Sequence, residues 1–379
     1  MKLLVINSGS SSLKYTLFEM TGEKALMTGT IDRIGLEGSY HVYELDKASP
    51  VRLDVTVNDH GTALDELFRL LVDRGPIISL DELEIIGHRV AHGGKFKDPV
   101  RITTEVIAEI RRMTPFFPLH HPAMALEIEE CMNRIPHAAH IAVFDMTFHK
   151  TIPEYAAIYG LPYRYYEEKG YRKTGYHGHS NEYVAERAAR FLGRKLSDIK
   201  IITCHLGNGC SVTAIDGGKS IDTTMGMTSV EGLIMGTRSG NVDPGLIPVI
   251  MKEDSMTPED VISMLYRSSG LLGISGLSRD MREITQAVED NDKRAILAMD
   301  AFCYNIKRAI GCMLMALGGC DALIFTGGIG LHSADVRHKA LLGAQDLGFI
   351  LDEDLNAAYS GIEVEDVVDV SSSWSKVRI

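Results

Sequence analysis

The sequence predicts an α/β protein of two domains, and three observations lead to this prediction. The first is the length of 379 residues, which is enough to build two hydrophobic cores. The second is a pattern of strand, polar loop and strand, which occurs at 3–18 and again, in similar form, at 200–218. The third is the amphipathic helical segments that follow each copy. We interpret the two copies as a weak internal duplication and expect domains of 1–149 and 150–379.

The first half begins with strand-like runs at 2–6 and 13–18, which we expect to pair with each other. A second hairpin is expected from residues 40–45 and 51–56. Leucines recur at helical spacing between residues 61 and 74, which predicts a helix there.

The elements further along the chain follow the same reasoning. Residues 85–94 are expected to form a strand that runs into a loop with glycines. Ser180 is a favourable N-cap for a helix over 181–193, and residues 322–333, "ALIFTGGIGLHS", are expected to form a strand that enters a Gly-rich turn. Two more helices are predicted by apolar periodicity, at 122–133 and at about 294–317.

The formal net charge of −12 argues against partners that need a basic surface. Nucleic acids and anionic membranes are attracted by clustered lysine and arginine, and a global field of that kind is absent. The longest apolar helical run, 309–317, is also too short to span a bilayer. We therefore expect no nucleic-acid partner and no membrane, although an acidic chain can still bind small anions at a locally basic site.

The cysteines form no Cys-x-x-Cys pair and show no zinc-like spacing. The chain starts directly with a strand, without the pattern of a signal peptide. These features predict a cytoplasmic location, with the cysteines as buried thiols of a reducing compartment: Cys131, Cys204, Cys210, Cys303, Cys312 and Cys320.

The loop in "NSGSSSLK" (7–14) is of a type that binds anions. Its small residues let the backbone approach an anion closely, and its hydroxyl and amide groups can donate hydrogen bonds. Lys14 could add a positive charge, and Asn7 could offer its side-chain oxygen to a hydrated metal ion or its amide to a phosphate. The loop is not a Walker motif, and a serine-rich hairpin turn is the alternative.

Two further glycine-bearing loops stand at strand ends, "HLGNG" (205–209) and "FTGGIG" (325–330). Either loop alone is typical of a simple turn. Three such loops together suit a nucleotide held in a cleft between two domains, with two loops at the phosphates and one at the adenosine.

Several cationic side chains stand among small residues. Arg89 and His92 lie in "GHRVAHGG", His177 in "GYHGHS" and Arg238 in "MGTRSGNVDP". Arginine suits bidentate recognition of carboxylate or phosphate. Two arginines and a histidine could neutralise the oxygens of a phosphoryl group in transfer, which is mainly an electrostatic task. A solvated surface position is the alternative for each of them.

Two carboxylates occupy comparable settings, Asp145 in "FDMTFH" and Asp280 in "LSRDMRE". Asp145 could orient an arginine or help to hold a metal ion, and a helix N-cap is the alternative for either aspartate. The adjacent His120 and His121 suggest a metal site, but neighbouring side chains point in different directions and no third ligand stands at a suitable spacing. We expect structural or supporting roles for both histidines.

Taken together, these motifs point to a family. The chain resembles the acetate and propionate kinases, within the superfamily of sugar kinases, Hsp70 and actin, over essentially its whole length. The motifs that carry the resemblance are "NSGSSSLK" (7–14), "GHRVAHGG" (87–94), "PLHHP" (118–122), "FDMTFH" (144–149), "GYHGHS" (175–180), "HLGNG" (205–209), "EGLIMGTRSGNVDP" (231–244), "GLLGISG" (270–276) and "FTGGIG" (325–330).

The resemblance implies a fold and a reaction. The fold would consist of two ribonuclease-H-like α/β domains of the actin, Hsp70 and sugar kinase type with an active-site cleft between them, in a homodimer formed through the second domain. The reaction would be reversible transfer of the γ-phosphoryl group of ATP to acetate or another short carboxylate, giving acetyl phosphate and ADP. Mg²⁺ is the implied metal ion, with Mn²⁺ as an alternative.

The resemblance also assigns roles to individual residues. Arg89 and Arg238 match the two arginines that hold the carboxylate and stabilise the transferring phosphoryl group, and His177 matches the histidine that contacts that group. Asp145 matches the essential acidic residue beside the metal, and Asn7 the asparagine of the phosphate and metal site. The expected nucleotide contacts are Lys14, His205, Asn208, Gly209, Asp280, Met281, Arg282, Gly328 and Gly330.

The expected acyl pocket departs from the family pattern at three of its four positions, Ala91, Leu119, Tyr176 and Ser229. Ala91 stands where Val is common, Ser229 where Pro is usual and Tyr176 where Phe is usual. Because Ala91 and Ser229 would both enlarge the acyl pocket, propionate is an alternative substrate. One methylene is worth only roughly 1–3 kcal/mol in such discrimination.

Two alternatives differ more strongly from an ATP-dependent kinase that acts on a short carboxylate. Leu331 and His332 replace a usual Glu-Asn, which leaves pyrophosphate as a less favoured phosphoryl donor. A non-catalytic ATPase switch on the same fold is the other, but such a switch has no need of two arginines and a histidine at the phosphoryl group. Family members also continue beyond residues 374–379 with a metal-site Glu and a closing helix, and we expect the natural chain to do so.

Overall fold

The structure is a computed structural model, and it describes residues 1–9, 11–46, 48–117, 121–361 and 367–379. Its backbone divides into two compact units, Met1–Thr147 and Phe148–Ile379. We call them the N-terminal unit and the C-terminal unit. Each has its own β-sheet with helices packed on it, so the chain is a mixed α/β protein.

The sheet of the N-terminal unit has eight strands in the order β5-β4-β3-β2-β1-β6-β8-β7. The strands are β1 (Lys2–Ser8), β2 (Ser12–Glu19), β3 (Lys24–Asp32), β4 (Tyr40–Leu45), β5 (Val51–Asp54), β6 (Leu83–Val90), β7 (Val100–Arg101) and β8 (Ala139–Phe144). Pairing of β1 with β2 and of β4 with β5 confirms both predicted hairpins. β6 lies parallel to β1 and β8 parallel to β6, so the carboxyl ends of these three strands meet at one edge.

Three helices cover this sheet: α1 (His60–Asp73), α2 (Thr104–Arg112) and α3 (His121–Arg134). The predictions for α1 and α3 are confirmed. α1 starts at a capping box, in which Asp59 and Thr62 each accept a hydrogen bond from the other's backbone N–H. Its leucines at helical spacing are fully buried in the core, as the periodicity predicts.

The sheet of the C-terminal unit has the order β11-β10-β9-β12, from β9 (Lys200–Leu206), β10 (Cys210–Asp216), β11 (Lys219–Thr223) and β12 (Ala322–Thr326). β9 and β10 form the predicted hairpin, and β12 lies parallel to β9 on its other side. β3-β2-β1-β6 follows the same plan in the N-terminal unit. The shared topology agrees with the interpretation of an internal duplication.

The helices of the C-terminal unit are α4 (Glu154–Ala157), α5 (Arg164–Glu167), α6 (Gly178–Phe191), α7 (Leu246–Glu253), α8 (Pro258–Arg267), α9 (Gly270–Ser275), α10 (Met281–Glu289), α11 (Lys293–Leu317), α12 (Gly327–His332), α13 (Ala334–Leu341) and α14 (Glu353–Ala358). α6 and α11 correspond to the predicted helices. In the described part of the chain, no helix is long and apolar enough to cross a membrane.

Three expectations about local structure are wrong. α6 begins at Gly178 with His177 as its N-cap, so Ser180 does not cap it. The Ser180 hydroxyl lies instead 2.8 Å from Nδ1 of His205. The glycines that follow β12 form the helix α12 rather than a turn. Finally, Cys312 is exposed because it lies on the outward face of α11, and Cys320 is half-buried, whereas the other four thiols are buried as expected.

Candidate active site

The N-terminal unit assembles two of the four predicted catalytic residues and the predicted metal ligand at the carboxyl edge of its parallel strands. Arg89 is the penultimate residue of β6, Asp145 follows β8, and Asn7 is the penultimate residue of β1. Strand ends at such an edge are where open α/β sheets bind ligands. We call these three residues the Arg89 cluster.

Arg89 is the centre of this cluster. Its Nε donates to Oδ1 of Asp145 at 3.0 Å, its Nη2 donates to Oδ2 of the same carboxylate, and its Nη1 donates to Oδ1 of Asn7 at 3.0 Å. The carboxylate is buried, whereas 31% of the arginine side chain stays exposed. The Asp145 charge raises the pKa of Arg89. The arginine is thus held in one orientation while part of its guanidinium remains accessible.

The first polar loop lies beside this cluster. Asn7 and Lys14 are register partners across the β1–β2 hairpin, and Lys14 is exposed. The loop is closed by a hydrogen bond from the Gly9 amide to the Ser12 carbonyl at 2.8 Å. The hydroxyl of Ser8 is buried and finds no hydrogen-bond partner among the described residues. Ser10 lies outside the described residues.

The donor set of the Arg89 cluster is of the kind that Mg²⁺ accepts. Mg²⁺ binds oxygen ligands, usually one or two carboxylates together with water and substrate phosphates. The carboxylate of Asp145 and the amide oxygen of Asn7 are oxygen ligands of this kind, and both face the same arginine. The residues present therefore fit the ion, and the set contains no sulfur or nitrogen ligand that would favour a softer metal.

The C-terminal unit brings together the other two predicted catalytic residues around the "HLGNG" loop. A Cβ placed on Gly209 would lie 3.4 Å from Nε2 of His177 and 3.4 Å from Nη1 of Arg238. Both cationic side chains therefore converge on the backbone of this loop. We call His177, Arg238 and the loop 205–209 the Arg238 cluster.

His177 is held on several sides. Its Nδ1 lies 2.9 Å from the Ser211 hydroxyl, and its ring stacks on that of His205 at a centroid distance of 4.1 Å. Its backbone is left-handed, with φ of 60°, an uncommon conformation for a residue other than glycine. Uncommon backbone conformations persist where the surroundings fix them, and they concentrate at functional sites.

His149 fixes the turn in front of His177, and sequence reasoning missed this residue. Its Nε2 donates to the Tyr176 carbonyl at 2.8 Å, and its Nδ1 lies 2.8 Å from the Ser220 hydroxyl. The only available signal was its position inside the motif "FDMTFH". Its burial beside a main-chain acceptor indicates a supporting role.

Arg238 lies in an irregular segment between β11 and α7, residues 224–245. Its Nη1 donates to the carbonyl of Ser229 at 3.1 Å. Irregular segments of this length inside compact domains are usually functional. The contacts that hold residues 224–245 in place therefore also determine the position of the Arg238 guanidinium.

The predicted nucleotide contacts near α10 have another structural role. Asp280 is the N-cap of α10, and its carboxylate accepts from the Arg282 backbone at 2.9 Å and from the Arg282 guanidinium at 2.6 Å. That pairing lowers the pKa of Asp280. Met281 is buried, and Arg282 is almost fully exposed. The N-cap alternative is thus correct for Asp280, and its contact with nucleotide stays a prediction.

The two glycines of the predicted adenosine loop differ in their surroundings. Gly328 has open space where a side chain would stand, which leaves the backbone accessible. Gly330 is buried in α12, and a Cβ there would come within 3.4 Å of the Phe325 carbonyl carbon. The absence of a side chain at Gly330 therefore lets α12 pack against the end of β12.

Three of the four predicted pocket residues are buried: Ala91 in the N-terminal unit, and Tyr176 and Ser229 in the C-terminal unit. The Tyr176 hydroxyl donates to the Met227 carbonyl at 2.6 Å, which ties it to the segment that carries Ser229. Leu119, the fourth pocket residue, lies outside the described residues, as does His120.

Two buried histidines pack on Phe117 and do not act as cations. His92 stacks on its ring at 5.1 Å and His121 at 4.7 Å. Burial lowers the pKa of His92 to about 3 and that of His121 to about 4, so both are neutral at pH 7. The inclusion of His92 among the cationic groups is therefore wrong, and the structural role expected for His121 agrees with its environment.

One further group of potential ligands lies among the described residues, away from the Arg89 cluster. Ligand atoms of His88, Glu127 and Cys131 lie within 4.8 Å of one another in the core. His88 lies 3.0 Å from the Glu127 carboxylate, and the Cys131 thiol donates to the same oxygen at 3.2 Å. His88 also contacts His140 at 2.9 Å. These groups satisfy one another's hydrogen bonds, so we interpret them as a buried polar network.

Comparison with known proteins places the chain among acyl-phosphate-forming kinases. A family model described as the acetokinase family matches residues 2–379. The acetate kinase of Clostridium beijerinckii is 43% identical over 383 residues, which cover 100% of this chain and 95% of that protein.

Solved structures that are similar to this chain also include an acetate kinase and a propionate kinase. The crystal structure of Porphyromonas gingivalis acetate kinase is 39% identical with a TM-score of 0.88, and the match covers 100% of this chain and 94% of that one. A propionate kinase from Francisella tularensis is 34% identical with a TM-score of 0.90, covering 99% and 94%. The similarity therefore extends over both units in sequence and in fold.

Proposed function

The chain belongs to the acetokinase family, with a mixed α/β fold of the actin, Hsp70 and sugar kinase type, and on this premise we propose that it is an acetate kinase. It transfers the γ-phosphoryl group of ATP to the carboxylate of acetate, reversibly, giving acetyl phosphate and ADP. The observation that carries the proposal is the match of the family model over residues 2–379, together with the Arg89 and Arg238 clusters.

The acceptor needs no general base in this reaction. A carboxylic acid such as acetic acid is ionised at pH 7, as the reference values for side-chain carboxyls indicate. One carboxylate oxygen forms the bond to the γ-phosphorus, and the bond from that phosphorus to the bridging oxygen of ADP breaks. ADP leaves with the electron pair. The protein's task is then to position the two reactants and to stabilise the charge on the transferring group.

The two arginines and His177 are suited to this task. Asp145 and Asn7 occupy three of the five N–H donors of Arg89, and the exposed part of its guanidinium remains available to a carboxylate or phosphoryl oxygen. Arg238 and the imidazole of His177 converge on the loop proposed to bind phosphate. Donors fixed before the reaction stabilise a developing charge without reorganisation.

The metal ion and the nucleotide complete the proposal. Asn7 and Asp145 would hold Mg²⁺, or Mn²⁺, and the ion would neutralise phosphate charge during transfer. Lys14 extends from the neighbouring strand. The nucleotide would contact His205, Asn208, Gly209, Asp280, Met281, Arg282, Gly328 and Gly330. Pyrophosphate as donor and a non-catalytic switch remain the weaker alternatives from the sequence.

Propionate kinase activity is the second candidate. It is favoured by the small, buried Ala91 in the proposed acyl pocket and by the similarity to a propionate kinase of Francisella tularensis. Ser229, which stands where Pro is usual, is buried as well and is the second position expected to enlarge the pocket.

We propose further that the protein is a cytoplasmic homodimer formed through the C-terminal unit. Support comes from α11, where Leu297, Tyr304 and Met315 are more than half exposed. Positions i, i+7 and i+18 fall on one helical face, with the exposed Arg308 between the last two, so a second copy could cover an apolar surface that one cation interrupts.

The substrate is tested by trapping the acyl phosphate with hydroxylamine. The protein is incubated with Mg-ATP and with acetate, propionate or butyrate in parallel. The highest kcat/KM with acetate supports the proposal, and the highest with propionate supports the second candidate. Absence of a hydroxamate with all three contradicts both.

A further inference from the structure

The segment that positions Arg238 has little regular structure of its own. Residues 224–245 contain no helix and no strand, yet the Ser229 carbonyl within them accepts the Arg238 Nη1 bond. An irregular backbone must be held by bonds from outside if it is to keep a side chain in one place. The question is which groups supply those bonds near Ser229.

Two tyrosines hold the backbone of Met227, two residues before Ser229. The Met227 amide donates to the Tyr159 hydroxyl at 2.8 Å, and the Met227 carbonyl accepts from the Tyr176 hydroxyl at 2.6 Å. Both main-chain groups of one residue are thus occupied by side chains from a different part of the chain.

Tyr159 is itself fixed by a carboxylate. Its hydroxyl donates to Oε2 of Glu231 at 2.5 Å while it accepts from Met227, so both of its hydrogen-bonding capacities are used. A bond from a hydroxyl to a carboxylate is among the stronger hydrogen bonds in proteins. Because Glu231 lies beyond Ser229, the hydroxyl links the two ends of the stretch 227–231.

The backbone at Gly226 is packed closely against Tyr159 and Glu231. A Cβ on Gly226 would lie 1.6 Å from the Glu231 carboxylate and 2.4 Å from the Tyr159 hydroxyl. The Gly226 carbonyl accepts from the amides of Thr174 at 3.3 Å and Gly175 at 3.2 Å. Only a glycine permits this close approach of the backbone to the tyrosine and the carboxylate.

The segment that carries Tyr159 is itself held by main-chain contacts with residues 172–173. Ile158 forms an antiparallel bridge with Arg172, and the Lys173 amide donates to the Ala157 carbonyl at 2.8 Å. Tyr159 and Tyr176 therefore come from two stretches that are bonded to each other.

We propose that Tyr159 and Tyr176 act as positioning residues for phosphoryl transfer: they clamp Met227, and through the Ser229 carbonyl they fix the guanidinium of Arg238. The inference rests on the proposed function, since Arg238 has a kinetic role only if this site transfers a phosphoryl group. Neither tyrosine touches the transferring group in this role. Their effect passes through the main chain between Met227 and Ser229.

The test begins with Tyr159→Phe, which keeps the ring and removes the hydroxyl. We expect kcat for acetyl phosphate formation to fall about tenfold, with the KM for ATP within twofold of the wild-type value, because a misplaced arginine mainly weakens transition-state binding. Tyr176→Phe installs the residue that is usual in the family, so we expect a smaller loss of kcat than in Tyr159→Phe. Tyr166→Phe is the matched control, because the hydroxyl of that half-buried tyrosine donates to Glu154 at an exposed position, away from Met227 and Ser229 in the chain.

A double-mutant comparison separates positioning from general stability. In an Arg238→Lys background the Ser229 carbonyl no longer holds a guanidinium, so Tyr159→Phe should lower kcat by less than twofold. Glu231→Gln keeps an oxygen acceptor and should retain kcat within threefold, whereas Glu231→Ala should match Tyr159→Phe. An unchanged kcat in Tyr159→Phe, or the same tenfold loss in both backgrounds, overturns the proposal.

A structural measurement tests, independently of activity, whether the two tyrosines position Arg238 through Met227. In a crystal structure of the Tyr159→Phe variant, we expect the 3.1 Å distance from Arg238 Nη1 to the Ser229 carbonyl to lengthen beyond about 3.5 Å, the limit of a useful hydrogen bond. An unchanged distance contradicts the clamp. A wild-type protein without acetate-dependent activity contradicts the proposed function instead, and this distance then still decides the clamp.

Discussion

At the scale of single residues, the contacts of Arg89 hold a flexible side chain in one orientation. Arg89 uses two nitrogens on Asp145 and one on Asn7, which fixes the plane of the guanidinium. A buried carboxylate without a cation would be costly, and the pairing with Arg89 offsets part of that cost. The same contacts that stabilise this corner of the sheet therefore orient the group that we propose for catalysis.

Asp145→Asn tests this orientation with little change in shape. The amide keeps one acceptor, but its NH₂ group faces an arginine nitrogen that can only donate, so the bidentate contact is lost. We expect kcat to fall about a hundredfold, within the range typical of lost electrostatic preorganisation, and the protein to remain folded. Hydroxylamine-trapped acetyl phosphate gives the rate.

Asp300→Asn is the control for that variant, because Asp300 forms an exposed ion pair with Lys339 at 2.7 Å. Surface pairs contribute little, so its kcat should equal the wild-type value. A wild-type kcat in Asp145→Asn would show that Arg89 does not depend on this carboxylate.

Asn7→Ala addresses the first loop. It removes the oxygen that accepts from Arg89 Nη1 and that we propose as a metal ligand. We expect the KM for Mg-ATP to rise about tenfold and the KM for acetate to change less than threefold, measured by varying each substrate in turn. A larger effect on acetate would assign the loop to the carboxylate instead.

At the scale of elements, sequence reasoning succeeded where periodicity and burial act together. The leucines of α1 lie in the core as their spacing predicts, and β1 and β6 form where strand-like runs predicted them. The start of α6 was wrong because a left-handed His177 serves as N-cap, and nothing local in "GYHGHS" signals that conformation over a serine cap. It depends on Ser211 and His205, which follow much later in the chain.

The site was predictable to a similar degree. The pairing of Asp145 with Arg89 follows from strands that end at one sheet edge, and the resemblance had named both residues. The clamp of Tyr159 and Tyr176 on Met227 was not predictable, because tyrosine hydroxyls bonded to main-chain groups leave no mark in the spacing of residues. Buried histidines such as His92 were misread as cations because burial decides their charge and the sequence does not show it.

We expect the N-terminal unit to lose stability in acid because it contains two buried histidines. His92 lies in the segment after β6, and His121 is the first residue of α3. Burial lowers the pKa of His92 to about 3 and that of His121 to about 4, below the usual value near 6.5. The unfolded chain therefore binds protons first as the pH falls. The free energy of unfolding should be retained above about pH 6.5 and fall below it by roughly 1 kcal/mol per pH unit for each histidine, down to about pH 4.

The difference between wild type and His121→Asn isolates one of these protons. We expect the wild type to lose more stability than the variant between pH 6.5 and pH 5, in urea unfolding read by pulsed hydrogen exchange on peptides from α3. His137→Asn is the control, since that histidine is exposed. Identical pH slopes for wild type and His121→Asn would show that this histidine does not stay neutral in the folded protein.

At the scale of the whole molecule, the proposal draws on both units. The N-terminal unit supplies Arg89 with its carboxylate partner, and the C-terminal unit supplies Arg238 with His177. Four strands of the first sheet, β3-β2-β1-β6, follow the plan of the second sheet, β11-β10-β9-β12, so each unit with its own arginine contains one copy of the shared topology. The match to acetate kinases extends over both copies, which is what a reaction dependent on both arginines requires.

The most direct measurement is acetate-dependent formation of acetyl phosphate by the wild-type protein beside Arg89→Ala and Arg238→Ala. Removal of either guanidinium takes a positive charge away from the transferring phosphoryl group, so kcat should fall by about two to three orders of magnitude in each variant. Arg282→Ala, which loses a nearly fully exposed arginine at the N-terminus of α10, should lose far less. Near-normal turnover in both Arg89→Ala and Arg238→Ala would contradict the site, and a wild-type protein that forms no acetyl phosphate would contradict the function.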